Sequence, residues 1–387
     1  MEIIHRFFTP DENSFFLFGP RGTGKSTLLR SSFPMAYFID LLDPVAFRTY
    51  ISKPEHLYEV VAGNRRIETL VIDEIQKVPS LLDVVHKILE DKTQRPPQFI
   101  LTGSSARKLK RTGVNLLAGR ALLRKLHPFM SAELGHHFNM LENLNNGMLP
   151  IVSASKNRKE TLDSYVSLYL REEVHMEGLV RNIGGFSRFL EALSFSHASL
   201  LNTSQVAREC QTGQKTAEGY LEILEDLLLG FRVKNFTRRA KRHLVAHPKF
   251  YFVDCGIYNA LRPRGPLDLP SETGGAALEG LVAQHLRAWI DYGRNGCELC
   301  FWRTRAGTEV DFVVYGPSVF TAIEVKASRS VFNNDVRSLI AFKTEYPEAE
   351  VFLLHGGKER LRISGVLCIP CDDFLRNLVP GELLPLE

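Results

Sequence analysis

The sequence predicts an α/β protein of three regions, and three observations lead to that prediction. In residues 1–135, short apolar runs alternate with amphipathic stretches, a pattern typical of a mostly parallel sheet with helices on both faces, three layers in all. Residues 136–248 are largely helical in pattern. Strands return in residues 249–387, around the long helical stretch 275–292. We therefore predict an N-terminal three-layer α/β region, a helical middle region and a C-terminal α/β region with these boundaries.

Composition limits the classes of protein that the chain can belong to. A length of 387 residues suggests two or three domains, and 44% hydrophobic with 24% charged residues excludes a disordered, collagenous or coiled-coil chain. The net charge is 48 − 44 = +4, so any surface that binds nucleic acid must be local. No apolar run reaches the ~18 residues that a membrane span needs, and the first residues lack the pattern of a signal peptide. We expect a cytoplasmic protein without a membrane partner.

The strand predictions in the first region follow from β-branched and aromatic residues. The predicted strands are 14–18, 35–39, 69–73 and 98–102, and 81–92 is a predicted helix. The stretch 136–160 is rich in Asn, Gly and Ser, which predicts a connector.

The strongest motif is a glycine-rich loop that follows the first strand and precedes an apolar helix start. Its glycines let backbone N–H groups converge on phosphates at a helix N-terminus. Lys25 is expected to reach the β- and γ-phosphates of a nucleotide, and the Ser26 hydroxyl to bind Mg²⁺. The predicted nucleotide-binding residues of the loop are Gly19, Pro20, Arg21, Gly22, Thr23, Gly24, Lys25, Ser26 and Thr27.

Polar residues at the ends of the next strands complete the predicted nucleotide site. Asp73 is expected to hold Mg²⁺ and Glu74 to activate the attacking water. Thr102 or Ser104 would contact the γ-phosphate or the water, although a plain strand–turn explains them equally well. Arg120 is either an arginine finger, acting in its own subunit or across a homo-oligomer boundary, or a solvated arginine.

The middle region contains the spacing of a helix-turn-helix. Two helical segments flank a turn at Gly213, within 200–233. Gln214, Lys215 and Thr216 would begin the second helix. A basic run follows, comprising Arg232, Lys234, Arg238, Arg239, Lys241, Arg242 and His243. The segment either contacts duplex DNA, mainly at phosphates, or is architectural with a solvated basic tail.

Four cysteines form two C-x-x-C pairs, Cys297/Cys300 and Cys368/Cys371. This spacing can be half of a zinc site. However, Cys300 leads into a predicted strand, where an offset of three places side chains on opposite faces. We therefore expect ordinary buried thiols rather than a metal site.

A carboxylate–lysine pattern occurs in the C-terminal region. Glu324 and Lys326 are two apart on a predicted strand, so they share a face. Asp311 lies on the preceding strand, and Glu279 on the long helix. Such a pattern is common on exposed strands, but apolar neighbours surround both strand acids here, which indicates partly buried carboxylates.

The motif order resembles AAA-type ATPases, and more closely a group of bacterial and archaeal ATP-binding proteins of poorly defined role. The matching motifs are LFGPRGTGKST (17–27), IDEIQKVP (72–79), LTGSSARKL (101–109) and LAGR (117–120). The resemblance covers nearly the whole chain. It implies an AAA-type ATPase domain that uses ATP and Mg²⁺, a winged-helix segment and a restriction-endonuclease-like domain.

The C-terminal pattern resembles the PD-(D/E)XK nuclease core. That resemblance implies Asp311 and Glu324 as Mg²⁺ ligands, Glu279 as an auxiliary acid and Lys326 as the catalytic lysine. Two hypotheses remain. One is an ATP-hydrolysing protein that acts on DNA, with the C-terminal domain cutting or gripping it. The other is a nucleotide-gated interaction module with a catalytically silent nuclease-like scaffold.

Overall fold

The computed structural model describes residues 4–91, 95–104, 119–169, 182–237, 247–263, 265 and 270–386. The chain divides into two compact units. One comprises 8–127 with 225–228, and the other comprises 1–7, 128–224 and 229–387. No helix among the described residues is long and apolar enough to cross a membrane.

The N-terminal unit contains a parallel five-stranded sheet. Its strands are β1 (Phe15–Phe18), β2 (Tyr37–Asp40), β3 (Thr69–Asp73), β4 (Gln98–Gly103) and β5 (Leu122–Lys125). They lie in the order β2-β3-β4-β1-β5, and all four neighbouring pairs are parallel. The four predicted strands are confirmed, and β1 lies in the interior of the sheet, so the loop after it starts from a buried position.

Helices connect β1 to β2, β2 to β3 and β3 to β4, as parallel pairing requires. They are α1 (Lys25–Ser32), α2 (Pro44–Ser52), α3 (His56–Gly63) and α4 (Leu81–Glu90), with a 3₁₀ turn at Ile75–Lys77. Helix α4 shows why the sequence folds in this way. Its buried residues Leu81, Leu82, Val85 and Ile88 follow the helical period and pack into the core with Phe99 and Leu101 of β4.

The predicted connector is wrong, because the stretch 136–160 contains short helices. Among the described residues, the helices between β5 and residue 230 are α5 (Ser131–Leu134), α6 (Met140–Asn146), α7 (Pro150–Ser153), α8 (Arg158–Ser164), α9 (Ile183–Ser194), α10 (Thr203–Glu209) and α11 (Gln214–Asp226). Gly135–His137 is a 3₁₀ turn, and Tyr165–Tyr169 is a π-helical turn. The asparagines that suggested a loop are helix caps. Asn139 accepts a hydrogen bond from the Glu142 N–H, and Asn157 accepts one from the Glu160 N–H.

A nine-stranded sheet runs through the larger unit. Its strands are β6 (Ser199–Leu200), β7 (Gly230–Asn235), β8 (Lys249–Phe252), β9 (Glu298–Arg303), β10 (Glu309–Tyr315), β11 (Phe320–Lys326), β12 (Glu350–His355), β13 (Leu361–Ile363) and β14 (Val366–Pro370). The order is β13-β14-β12-β11-β10-β9-β7-β8-β6. The C-terminal strand predictions are confirmed. The helices beside these strands are α12 (Cys255–Leu261), α13 (Pro270–Gly293), α14 (Arg337–Glu345) and α15 (Cys371–Asn377).

Pairing within this sheet joins the middle and C-terminal parts of the sequence. Strand β7 is antiparallel to β8 on one side and parallel to β9 on the other, where Lys234 faces Cys300. Strands β9, β10 and β11 form an antiparallel meander, and β12 then pairs parallel to β11. Asp311 and Glu324 therefore lie on neighbouring strands.

Candidate functional site

The loop between β1 and α1 has the backbone geometry that a phosphate loop requires. Gly22 (φ 79°) and Gly24 (φ 84°) both lie in the left-handed region, which glycine adopts at little cost. Helix α1 begins directly after Gly24, at Lys25. A side chain at Gly19 would collide with the backbone oxygen of Leu126. The glycine positions of the motif are therefore explained by the backbone path.

Lys25 contacts carbonyls of the loop itself, and Ser26 meets the end of β3. Lys25 is buried and its Nζ donates to the backbone oxygens of Gly19 (2.6 Å) and Pro20 (3.2 Å). The Ser26 hydroxyl donates to Asp73 Oδ2 at 2.5 Å. The Thr102 hydroxyl donates to the other oxygen of Asp73. Three residues that are distant in sequence thus meet at the carboxyl edge of the parallel sheet.

The other predicted residues, three from the loop and Arg120, have no recorded contact with Asp73. Thr23 is buried, and its hydroxyl donates to the Pro20 oxygen at 2.7 Å. Arg21 and Thr27 are exposed. Arg120 forms a surface ion pair with Glu90 at 2.5 Å, and its role as an arginine finger stays a prediction.

Glu74 has a backbone conformation that is rare for its residue type. Its φ of 59° and ψ of 46° are left-handed, and such outliers in non-glycine residues concentrate at functional sites. Its N–H donates to Thr102 Oγ1 at 3.4 Å, and its carboxylate accepts a hydrogen bond from Gln76 Nε2. Thr102 therefore holds the backbone of Glu74, and Gln76 orients its carboxylate.

Gln76 is a site residue that sequence reasoning missed. It is 4% exposed, and its Nε2 also donates to Ser104 Oγ at 3.2 Å. The carboxylate of Glu74 fixes the orientation of the amide, since only the NH₂ group can donate to it. Gln76 Oε1 has no hydrogen-bond partner among the described residues and lies against Gly103. The motif places a polar residue after the acidic pair, but nothing in the sequence shows that it is buried.

We expect Gly103→Ala to destabilise the N-terminal unit by about 1–3 kcal/mol, as overpacking typically does. A methyl group there would overlap Gln76 Oε1 and push the amide away from Glu74 and Ser104. Scanning calorimetry of the full chain measures the effect. Gly63→Ala is the control, because an added Cβ at the end of α3 meets no atom within 4 Å. Equal melting temperatures for the two variants would contradict the expectation.

The structure also brings the C-terminal candidate residues together. Asp311 Oδ2 accepts the N–H of Val325 at 2.9 Å, next to Glu324. Glu324 Oε1 accepts a hydrogen bond from Lys326 at 2.6 Å, and Glu324 Oε2 accepts one from Ser338 at 3.3 Å. Glu279 reaches the same group from α13 through a residue that the sequence did not indicate, Lys249.

Lys249 lies at the start of β8 and is 1% exposed. Its Nζ contacts Glu309 (2.7 Å), Asp311 (2.9 Å) and Glu279 (3.0 Å). Tyr251 donates its hydroxyl to Glu279 at 2.6 Å. We call Lys249, Glu279, Glu309 and Asp311 the lysine-centred cluster. In the sequence, Lys249 is marked only as a basic residue at the start of an apolar strand, which does not indicate that it is buried among carboxylates.

Burial dominates the electrostatics of this region. It raises the pKa of Glu279 to about 7 and that of Glu324 to about 8, and in both cases the negative charge of Asp311 adds to the effect. Burial opposes the charged form of Lys249, but Tyr251, Asp311 and the two neighbouring glutamates outweigh it and raise its pKa well above the usual value. The lysine is therefore held as a cation.

The six cysteines and the predicted metal ligands all lie among the residues that the structure describes. All six cysteines are free thiols, and five are buried. Among the residues that the structure describes, no group of three or more His, Cys, Asp or Glu side chains is arranged to hold a metal ion.

The helix-turn-helix spacing corresponds to α10 and α11, which are separated by a turn at Gly213. Gln214, Lys215 and Thr216 are exposed at the start of α11. Arg232 and Lys234 are exposed on β7. The rest of the predicted basic run, Arg238, Arg239, Lys241, Arg242 and His243, lies outside the described residues.

The parallel sheet, its glycine loop and the Ser26–Asp73 pair together have the arrangement of a P-loop nucleotide-binding domain. Residues 11–135 match the family model described as "AAA domain". Residues 138–269 and 274–374 match two domains of unknown function, DUF8612 and DUF4143.

The chain is similar to uncharacterized proteins of several bacteria. One from Mycobacterium tuberculosis is 27% identical over 379 residues, which cover 96% of this chain and 82% of the relative. One from Haemophilus influenzae is 26% identical over 326 residues, which cover 79% of this chain and 76% of the relative.

Among solved structures, the Holliday junction branch migration motor RuvB of Thermotoga maritima superposes with a TM-score of 0.29 and 16% identity, over 60% of this chain and 87% of that chain. The replication initiator DnaA, bound to AMPPCP and single-stranded DNA, gives a TM-score of 0.28 and 14% identity, over 55% of this chain and 82% of that chain. Superpositions at this level do not define the fold of the chain.

Proposed function

We propose that this protein binds and hydrolyses ATP with Mg²⁺ in its N-terminal unit and acts with DNA through its larger unit. The observation that carries the ATP part is the hydrogen bond from the Ser26 hydroxyl to the Asp73 carboxylate, at 2.5 Å. Ser26 directly follows the buried Lys25 in the sequence. A hydroxyl and a carboxylate are the oxygen ligands that Mg²⁺ prefers.

The residues present fit ATP and Mg²⁺. Ser26 and Asp73 would hold the ion, which when bound neutralises charge on the β- and γ-phosphates. Lys25, now on the loop carbonyls, would move its ammonium onto the phosphates. Glu74 would take the proton of the attacking water. Gln76, itself hydrogen-bonded to Ser104, would keep the Glu74 carboxylate in place, and Thr102 would hold the Glu74 backbone.

Adenine as the base rests on the resemblance stated above. Arg120 as an arginine finger, in its own subunit or across the boundary of a homo-oligomer, stays a prediction from the sequence. A cytoplasmic location is likewise proposed from the sequence, which has neither a long apolar run nor the pattern of a signal peptide.

The DNA part of the proposal is supported by the middle region. Helices α10 and α11 are followed by the antiparallel strands β7 and β8, the order of elements in a winged helix. Gln214, Lys215 and Thr216 would face the duplex from the start of α11, with Arg232 and Lys234 near the phosphates.

A nuclease-like C-terminal domain is supported by Asp311, Glu324 and Lys326 on neighbouring strands, with Glu279 on the preceding helix. A nuclease-like fold does not by itself imply that the domain cleaves nucleic acid. The lysine-centred cluster favours the second candidate function, a nucleotide-gated interaction module whose nuclease-like scaffold is silent.

The test is a paired assay on the wild-type chain. We expect phosphate release from ATP that stops when EDTA removes Mg²⁺, because without the ion the negative phosphates and the Asp73 carboxylate repel each other. A mobility shift of duplex DNA in the same samples tests the second part. ATP turnover without any DNA shift would favour the interaction module, and no turnover with either ATP or GTP would contradict the proposal.

A further inference from the structure

The ammonium group of Lys249 lies at the centre of the lysine-centred cluster in the larger unit. Lys249 Nζ lies between 2.7 and 3.0 Å from oxygens of Glu309, Asp311 and Glu279. These acids come from two elements, β10 and α13, and the lysine from a third, β8. The lysine side chain is 2% exposed, so it reaches the acids from inside the fold.

The carboxylates of this region already have donors. Asp311 accepts from Lys249 and from the Val325 N–H. Glu279 accepts from Lys249 and Tyr251 through one oxygen.

The other two acids are engaged in the same way. Glu309 contacts Lys249 with one oxygen and Arg303 with the other, at 2.6 Å. Glu324 accepts from Lys326 and Ser338. A divalent ion needs such oxygens as direct ligands, so it would have to displace protein donors, Lys249 first.

Charge leads to the same conclusion. Four acids (Glu279, Glu309, Asp311 and Glu324) lie among three cations (Lys249, Arg303 and Lys326). Buried carboxylates need a counter-charge, because burial without one is unfavourable. Here the chain itself supplies three such counter-charges, and the acids implied as Mg²⁺ ligands by the nuclease resemblance do not fit an open metal site.

We propose that Lys249 is the resident cation of the larger unit, occupying the position between Glu279, Glu309 and Asp311 that a divalent metal would take. The cluster is then a metal-independent structural centre, and the tethered ammonium keeps Mg²⁺ and Mn²⁺ out. This goes beyond the proposed ATP function and does not depend on it.

Mn²⁺ binding to the full-length protein tests the inference. Free Mn²⁺ is followed by electron paramagnetic resonance without nucleotide, in an Asp73→Asn background that removes the Mg²⁺ ligand of the N-terminal unit. Wild-type Lys249 is expected to show no saturable site. Lys249→Ala is expected to gain one saturable site, at least about tenfold tighter than any residual Mn²⁺ binding to the protein with Lys249, since freed carboxylates are good ligands for this ion. Asp311→Asn in addition should abolish it.

Two further measurements keep the test decisive. Lys249→Arg retains the charge and should still exclude Mn²⁺. If Lys249→Ala is unstable, Mn²⁺ should raise its unfolding midpoint, which is followed by the fluorescence of Trp289 and Trp302. An Asp311-dependent Mn²⁺ site in the protein with Lys249 intact would overturn the inference, whatever the ATPase assay gives.

Discussion

Glu74→Gln is expected to lower the turnover number for ATP by about 100-fold or more, as loss of a general base does, while ATP still binds. The amide has the size of the acid, so the hydrogen bond to Thr102 and the left-handed backbone at φ 59° can persist. Lys25, Ser26 and Asp73 remain in place to bind the nucleotide. Phosphate release measures turnover, and fluorescence of a labelled ATP analogue measures binding.

Two comparison variants separate the steps. Lys25→Ala should lose binding as well as turnover, because its ammonium would contact the phosphates. Lys53→Ala removes a surface lysine that pairs with Glu59 and is 57% exposed, and it should change neither. Turnover in Glu74→Gln within twofold of wild type would exclude Glu74 as the base.

Asp254→Ala is expected to lower the free energy of unfolding of the larger unit by about 3 kcal/mol, since each buried N–H left without an acceptor costs about 1–3 kcal/mol. The carboxylate is fully buried and accepts N–H groups of Met148 (2.6 Å), Gly256 (2.8 Å) and Ile257 (3.3 Å). It caps α12 and joins it to the loop before α7. Urea denaturation followed by tryptophan fluorescence reports this unit alone, because both tryptophans of the chain lie in it.

The same residue sets a pH dependence. Burial raises the pKa of Asp254 to about 6, above its ordinary value of 3.8, so the folded state binds this proton more tightly than the unfolded state. Its contribution to stability is therefore largest at low pH and falls as the pH rises from about 4 to 6. Asp254→Ala should remove that part of the slope. The exposed Asp163 on α8 provides the control, and a loss below 1 kcal/mol in Asp254→Ala would count against the expectation.

Local patterns made much of the N-terminal unit predictable. The strands end where apolar runs end, and the glycine loop, Asp73 and Glu74 each follow a strand directly, so their meeting follows from parallel pairing. Gln76 was missed because its burial depends on Gly103, a residue 27 positions later.

The errors elsewhere have physical causes too. Asparagine suits both loops and helix N-caps, so the composition of 136–160 predicts a connector although Asn139 and Asn157 cap helices. Lys249 meets Asp311 across 62 residues, a separation that no local pattern encodes. Pairing of charges inside a core depends on the topology of the whole sheet.

The double pairing of β7 has a practical consequence for dissecting this chain. A cut between residues 248 and 249 would fall directly before β8, the strand that lies between β6 and β7. The first fragment would keep two strands without the one that joins them, and the second would lose the neighbour of both β8 and β9. Both would carry newly unpaired edges, which promote aggregation. The candidate DNA-contacting helices and the lysine-centred cluster are thus best produced, purified and assayed as one piece.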